Sequence, residues 1–155
     1  RSVASQILRH RSFSFQEFSQ RYAQVVNTPS LPNFRRQDTT NRQNSIDDLN
    51  DYTQQEFQIR TQDLFDQSLA LYNEMLSAGV AKECARDVLP LSTPTKLYMN
   101  GTLRSWLHYT ALRCANGTQY EHQLIATGVK QLLIEQFPLV SEAMWGGERS
   151  EPVKK

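Results

Sequence analysis

Apolar positions along the chain fall into runs of helical spacing separated by polar stretches. The clearest run covers Asp51 to Ala78, where Phe57, Leu64, Leu71, Tyr72 and Met75 recur at helical intervals and Gly79 supplies a stop. Ser2 to His10 reads as the end of a helix, with Val3, Ile7 and Leu8 turned inward and Gln6, Arg9 and His10 sharing a face. A short helix is predicted over Ala81 to Val88, ahead of Pro90, and another over Leu103 to Leu112. A long one covers about Gln119 to Phe137 and is ended by Pro138, which cannot continue a helix.

Other stretches lack that period. Phe13 to Tyr22 reads as extended, with Val25 and Val26 continuing it, and "PLSTPTKLYMN" passes through Pro94 into a short strand or turn. Asn27 to Asn50 carries Pro29, Pro32 and many Asn, Gln, Ser and Thr residues, so it reads as irregular: a lid, a binding loop or an insertion. The tail "GGERSEPVKK", residues 146–155, is expected to be disordered. The expectation is an α+β (mixed) class, helix-rich with few strands, in one domain over residues 1–145.

Composition narrows the function classes. Hydrophobic content of 39% suits a polar globular domain, and no apolar run approaches the ~20 residues of a membrane span. A net charge of +1 argues against bulk nucleic-acid binding, which shows a clear basic excess. Arginine supplies 12 of the 17 basic residues, a bias toward bidentate recognition of phosphate or carboxylate. Cys84 and Cys114 form no metal-ligand pair and suggest no disulfide framework, so a reducing compartment is the default. The two "NGT" triplets, at Asn100 and Asn116, are formal glycosylation acceptors and are read as chance.

The candidate chemistry sits in three clusters. In "LRHRSFSFQEFSQRY", extended backbone would line Phe13, Phe15, Glu17, Ser19 and Arg21 on one side, offering rings, a carboxylate, a hydroxyl and a guanidinium. The adjacent Arg9, His10 and Arg11 repel one another unless an anion joins them. The second cluster, "KECARDVLP", places Arg86 in an otherwise apolar short helix. In the third, "NGTLRSWLHYTALRCANGTQYE", Arg104 and His108 share a helix face, while Arg113 falls on roughly the opposite side. That split suits sites built between subunits. Gly-rich phosphate loops, G-x-S-x-G elbows and H-E-x-x-H motifs are absent from the sequence, and Cys114 reads as a structural thiol. From residues alone, a non-catalytic nucleotide- or single-stranded nucleic-acid-binding module stays open, with Phe13 and Phe15 stacking bases.

The order of the clusters carries a resemblance. "RHRSFSFQEFS", Arg9 through Ser19, is similar to the R-H-R-x7-S signature of flavin-dependent thymidylate synthases, the ThyX family. The likeness continues through "SQRY", "AGVAKECARDVLPLSTPTKLYMNGTLRSWLHYTALR" and "TQYE". It implies a ThyX-type fold with a small, mostly antiparallel sheet. It also implies reductive methylation of dUMP to dTMP, with 5,10-methylenetetrahydrofolate giving the carbon and FAD, recharged by NADPH, the hydride. A homotetramer with shared active sites is implied, in the cytoplasm or a host cytoplasm.

Carried onto matching positions, Gln6, Arg9, Glu17, Ser19, Gln20, Arg21, Arg86 and Arg113 are expected at dUMP. Arg9, His10, Arg11, Glu17, Thr102, Leu103, Arg104 and His108 are expected at FAD. Arg113 is the expected catalytic residue, set against the uracil edge. No enzymic nucleophile is required, and Phe13, Phe15 and Phe18 are expected to pack behind the ligand seam. Three departures stand out. Gln16 replaces a common Asn, and Thr102 and His108 stand where some members carry Asn. A segment with further flavin and folate contacts is expected ahead of Arg1.

Overall fold

The computed structural model describes residues 2–26 and 29–146. Two units make up the chain, one running through Thr102 and the other starting at Leu103.

In the first unit, α1 (Ser2–Ile7) leads into β1 (Ser14–Glu17), which pairs antiparallel with β4 (Leu97–Asn100). The register sets Ser14 opposite Asn100 and Glu17 opposite Leu97. The Phe18 N–H donates to the Lys96 carbonyl at 2.9 Å, so pairing runs one step past the strand. The chain then turns: the N–H groups of Tyr22 and Ala23 both donate to the Ser19 carbonyl. Extension therefore stops well short of Tyr22, and Val25 and Val26 do not continue it. α1 is also shorter than its pattern suggested, since it ends at Ile7 and leaves Leu8 39% exposed.

α2 (Asp51–Ser77) is capped at its start by Asn50, whose side-chain oxygen accepts the Thr53 N–H at 2.9 Å. Gly79, at φ +86°, turns the chain out of the helix end, a conformation that disfavours any residue with a Cβ. The buried row of α2 is Phe65 and Tyr72, while Leu64 and Leu71 face outward. Tyr72 packs with Val25 and Ala85, and Leu69, Met75, Leu76, Val80, Val88 and Leu89 close around them. Two hydrogen bonds lock this core: Tyr72 OH accepts the Val25 N–H at 3.0 Å, and Ser68 Oγ donates to the Val88 carbonyl at 2.6 Å. The predicted helix over 81–88 is α3 (Lys82–Ala85) followed by a 3₁₀ turn, Arg86–Val88.

The polar middle is not irregular throughout. β2 (Arg36–Gln37) pairs antiparallel with β3 (Ser45–Ile46), closed by side chains rather than by a core. Gln37 Nε2 donates to the carbonyls of Asp38, Arg42 and Asn44, while Asp38 accepts the N–H groups of Thr40 and Asn41. Arg36 grips Asp48 with a fork, Nε to Oδ1 at 2.8 Å and Nη2 to Oδ2 at 2.6 Å. Phe34 meets Phe57 of α2 with ring centroids 6.1 Å apart, so the hairpin is rooted on the long helix.

This construction makes the hairpin acid-sensitive. The hydrogen bond from Arg36 holds the Asp48 carboxyl below its ordinary range, and the Thr40 and Asn41 amides do the same for Asp38. A carboxylate with a depressed folded-state pKa adds stability above its unfolded value and loses it as pH falls. Protection of the Asp38 amide against hydrogen exchange, corrected for intrinsic rate, should therefore fall below about pH 4 while α2 stays protected. Equal protection at pH 6 and pH 3 would show that the hairpin does not depend on these carboxylates.

The second unit contains α4 (Leu103–Arg113), α5 (Tyr120–Gln136) and α6 (Pro138–Trp145). α4 meets α5 through a buried pair, with His122 Nε2 3.1 Å from Tyr109 OH. Below it, Gln123 Nε2 donates to the Cys114 carbonyl at 3.0 Å. α6 was not anticipated. Pro138 does end α5, but it also begins α6, where a missing N–H costs nothing. Ser141 Oγ then donates to the Leu133 carbonyl at 3.0 Å, tying α6 back to α5. The tail expected to be disordered lies, apart from Gly146, outside the described residues.

Candidate functional site

The β1–β4 ribbon organises the site of the first unit. At its Ser14–Asn100 end lies a cavity of about 460 Å³ lined by Arg11, Ser12, Phe13, Ser14, Asn100, Gly101 and Thr102. Its floor is the buried Phe13 ring, which meets His10 edge-on at 6.4 Å and Phe15 at 6.2 Å. Gly101 is required there, because a Cβ would overlap the Phe13 ring. The result is a shelf of hydroxyl, amide and guanidinium groups over a hydrophobic base.

At the other end, a cavity of about 340 Å³ is lined by Phe18, Gln20, Gln24, Val25, Val26, Pro94, Thr95 and Lys96. Glu17 closes the strand beside it, half-buried, and its Oε1 accepts the Thr95 hydroxyl at 2.9 Å. Ser19 Oγ accepts the Arg21 N–H at 3.3 Å, holding the turn that follows the strand. Gln20 is 4% exposed, so its side chain is packed inward while its backbone sits in the turn.

Arg21 and Arg86, 65 residues apart in sequence, meet at one partner. Arg21 Nη2 lies 3.2 Å from Glu83 Oε2, and Arg86 Nε donates to the Glu83 carbonyl at 3.2 Å. The Arg21–Glu83 pair is about half exposed on both sides, so it contributes little stability and a more highly charged anion can displace it. Arg86 is half-buried in the 3₁₀ turn, where packing of Ala85 and Val88 fixes its origin.

The expected residues divide as follows. Glu17, Ser19, Gln20, Arg21 and Arg86 all belong to the first unit, and Arg21 and Arg86 are joined through Glu83. Gln6 is half-buried on α1, Arg9 is exposed just beyond it, and His10 is buried. Because α1 stops at Ile7, these three do not share a helix face. Arg11 and Thr102 line the larger cavity together. Of the rings expected behind the seam, Phe13 is buried and Phe15 half-buried, but Phe18 is 55% exposed.

Leu103, Arg104, His108 and Arg113 belong to α4 in the second unit. Arg104 and His108 are exposed and one turn apart. The helix persists to Arg113, so nine residues of rotation carry that half-buried cation to roughly the opposite side. Its charge is felt by Tyr109 one turn earlier: burial pushes the Tyr109 phenol up to about 12, against the pull of Arg113. Tyr109 is therefore a neutral hydroxyl at working pH.

Two contact partners of the expected residues were missed by reading the chain. Glu83 was detectable in principle, three residues before Arg86 in "KECAR". Thr95 lies 78 residues from Glu17, and nothing local reveals that contact.

Comparison with known proteins gives the family and the fold. The family model described as thymidylate synthase complementing protein matches residues 1–139. A probable flavin-dependent thymidylate synthase of Paramecium bursaria Chlorella virus 1 is 51% identical over 144 residues, 93% of this chain and 67% of the relative. The flavin-dependent thymidylate synthase of Synechocystis is 48% identical over 144 residues, 93% of this chain and 66% of the relative. A crystal structure of a UMP/dUMP methylase, PolB, from Streptomyces cacaoi shares the fold, with a TM-score of 0.79 at 23% identity over 94% of this chain and 68% of that one. The chain belongs to the thymidylate synthase complementing protein family, the ThyX family of flavin-dependent enzymes. It spans about two thirds of the length of these two curated relatives. The α+β class with a small antiparallel pairing, β1 with β4, is as expected.

Proposed function

We propose that this chain carries the catalytic core of a flavin-dependent thymidylate synthase, converting dUMP to dTMP. The observation that carries the reading is the convergence on Glu83 of Arg86 and of Arg21, which lies two residues after Ser19 and four after Glu17. Two guanidinium groups from distant segments, one on the displaceable Glu83 carboxylate and one on the Glu83 backbone carbonyl, suit a phosphate site. Each charge-assisted contact there contributes about 1.5–3 kcal/mol. Ser19 and the Gln20 backbone position the nucleotide, and Glu17 orients its hydroxyls. Gln6, Arg9 and Arg113 complete the dUMP set. Arg113 stabilises negative charge at the uracil imide, which polarises the ring for attack at carbon.

The flavin reading is supported by the cavity of Arg11, Ser12, Asn100 and Thr102, whose donors suit the phosphates and hydroxyls of a dinucleotide. Gly101 lets the Phe13 ring pack closely beneath that floor. Arg9, His10, Arg11, Glu17, Thr102, Leu103, Arg104 and His108 would hold FAD. When bound, the flavin supplies the hydride that takes the carbon of methylenetetrahydrofolate to a methyl group, and NADPH recharges it. The opposed faces of Arg104 and Arg113 suit a homotetramer whose sites are shared between subunits, as one catalytic domain over 1–145. The cytoplasm, or a host cytoplasm, is the matching compartment.

The test is expression with any upstream coding sequence retained. Purified protein should be yellow and should oxidise reduced flavin only when dUMP and the folate are present. A colourless protein that takes up no FAD and shows no dUMP-dependent oxidation would overturn the assignment.

A further inference from the structure

The segment "LSTPT", Leu91 to Thr95, has no role in the function as derived, yet it is built with care. Thr93 is fully buried, and both its N–H (2.9 Å) and its Oγ1 (2.6 Å) donate to the Pro90 carbonyl. Pro94 then restricts the backbone on either side of itself. One residue later, Thr95 Oγ1 donates to Glu17 Oε1 at 2.9 Å, and the next carbonyl, of Lys96, accepts the Phe18 N–H at 2.9 Å. A rigid turn thus delivers one hydroxyl to one carboxylate at the mouth of the smaller cavity, where Thr95 itself is a wall.

We infer that Thr95 is a positioning residue for nucleotide binding, setting the orientation of the Glu17 carboxylate through its hydroxyl. The inference rests on the functional reading that Glu17 meets the nucleotide. A glutamate side chain has three rotatable bonds, and a half-buried carboxylate without a fixed donor samples several rotamers. A hydroxyl donor takes one of a carboxylate's roughly four acceptor sites and so fixes the plane of the group. Threonine suits the task because branching at Cβ restricts its own rotation.

The test is titration of dUMP into the parent and into Thr95→Val and Thr95→Ser, with crystal structures of both variants. Valine keeps the branched shape without the donor, and serine keeps the donor without the branch. Thr95→Val should bind dUMP about ten-fold more weakly, with Glu17 moved from its place beside residue 95. Thr95→Ser should return to within about two-fold of the parent, with Glu17 back in position. Equal affinity of Thr95→Val and parent would overturn the inference. So would a Thr95→Ser as weak as Thr95→Val, or a loss of affinity with Glu17 unmoved. A parent that binds no dUMP sinks the functional reading and the positioning role together, an outcome distinct from a binding parent with an indifferent Thr95→Val.

Discussion

Arg113→Ala should keep its flavin while losing turnover of dUMP by a factor of about 10²–10³, the cost of removing one donor from a developing oxyanion. The side chain stands in the last turn of α4, where a cation also complements the helix dipole. Tyr109, one turn earlier on the same face, meets His122 of α5, so a urea melt of the variant is run alongside to show that the α4–α5 contact survives. The check is flavin absorbance per protein alongside dTMP formation. Arg113→Lys should recover only part of the loss, because an ammonium keeps the charge but not the planar fork. Flavin lost in step with activity would end this division of labour, and unchanged turnover would remove Arg113 from the reaction.

Tyr72→Ala should be the most destabilising change in the first unit, by about 3–5 kcal/mol. The ring is fully buried among Val25, Ala85 and the apolar residues around them. Tyr72→Phe isolates the polar part: it strands the Val25 N–H that now donates to the phenol at 3.0 Å, at a cost of about 1–3 kcal/mol. Urea unfolding measures both. Because Val25 ends the segment that starts at Ser19, the phenylalanine variant should also bind dUMP more weakly. A Tyr72→Phe as stable as the parent would mean that the Val25 amide is satisfied without the phenol.

Legibility of the chain followed the source of each element's order. Helices α2, α4 and α5 announced themselves through periodic apolar residues. The inward face of α2 did not, because Leu64 and Leu71 sit one residue, or 100°, away from the buried Phe65 and Tyr72. The hairpin at residues 36–46 left no hydrophobic alternation to read, since Gln37, Asp38 and Arg36 hold it by side-chain hydrogen bonds. α6 was hidden by Pro138, a residue that stops one helix and starts the next. The R-H-R-x7-S motif and the downstream arginines were visible as residue types in order. Glu83 with Arg21 and Thr95 with Glu17 were not, because tertiary partners 62 and 78 residues away leave no local trace.

Glu83 would give the proposed phosphate site a threshold. Its carboxylate is tethered a few ångströms from Arg21 and so competes as if present at millimolar or higher concentration. A chloride or a stray carboxylate in solution gains nothing by replacing it, because it brings a single charge and has to be recruited from dilution. A phosphate monoester brings nearly two charges and three acceptor oxygens, enough to engage both guanidinium groups at once. On the proposed reading, the Arg21–Glu83 pair acts as a filter on anion valence at the nucleotide site.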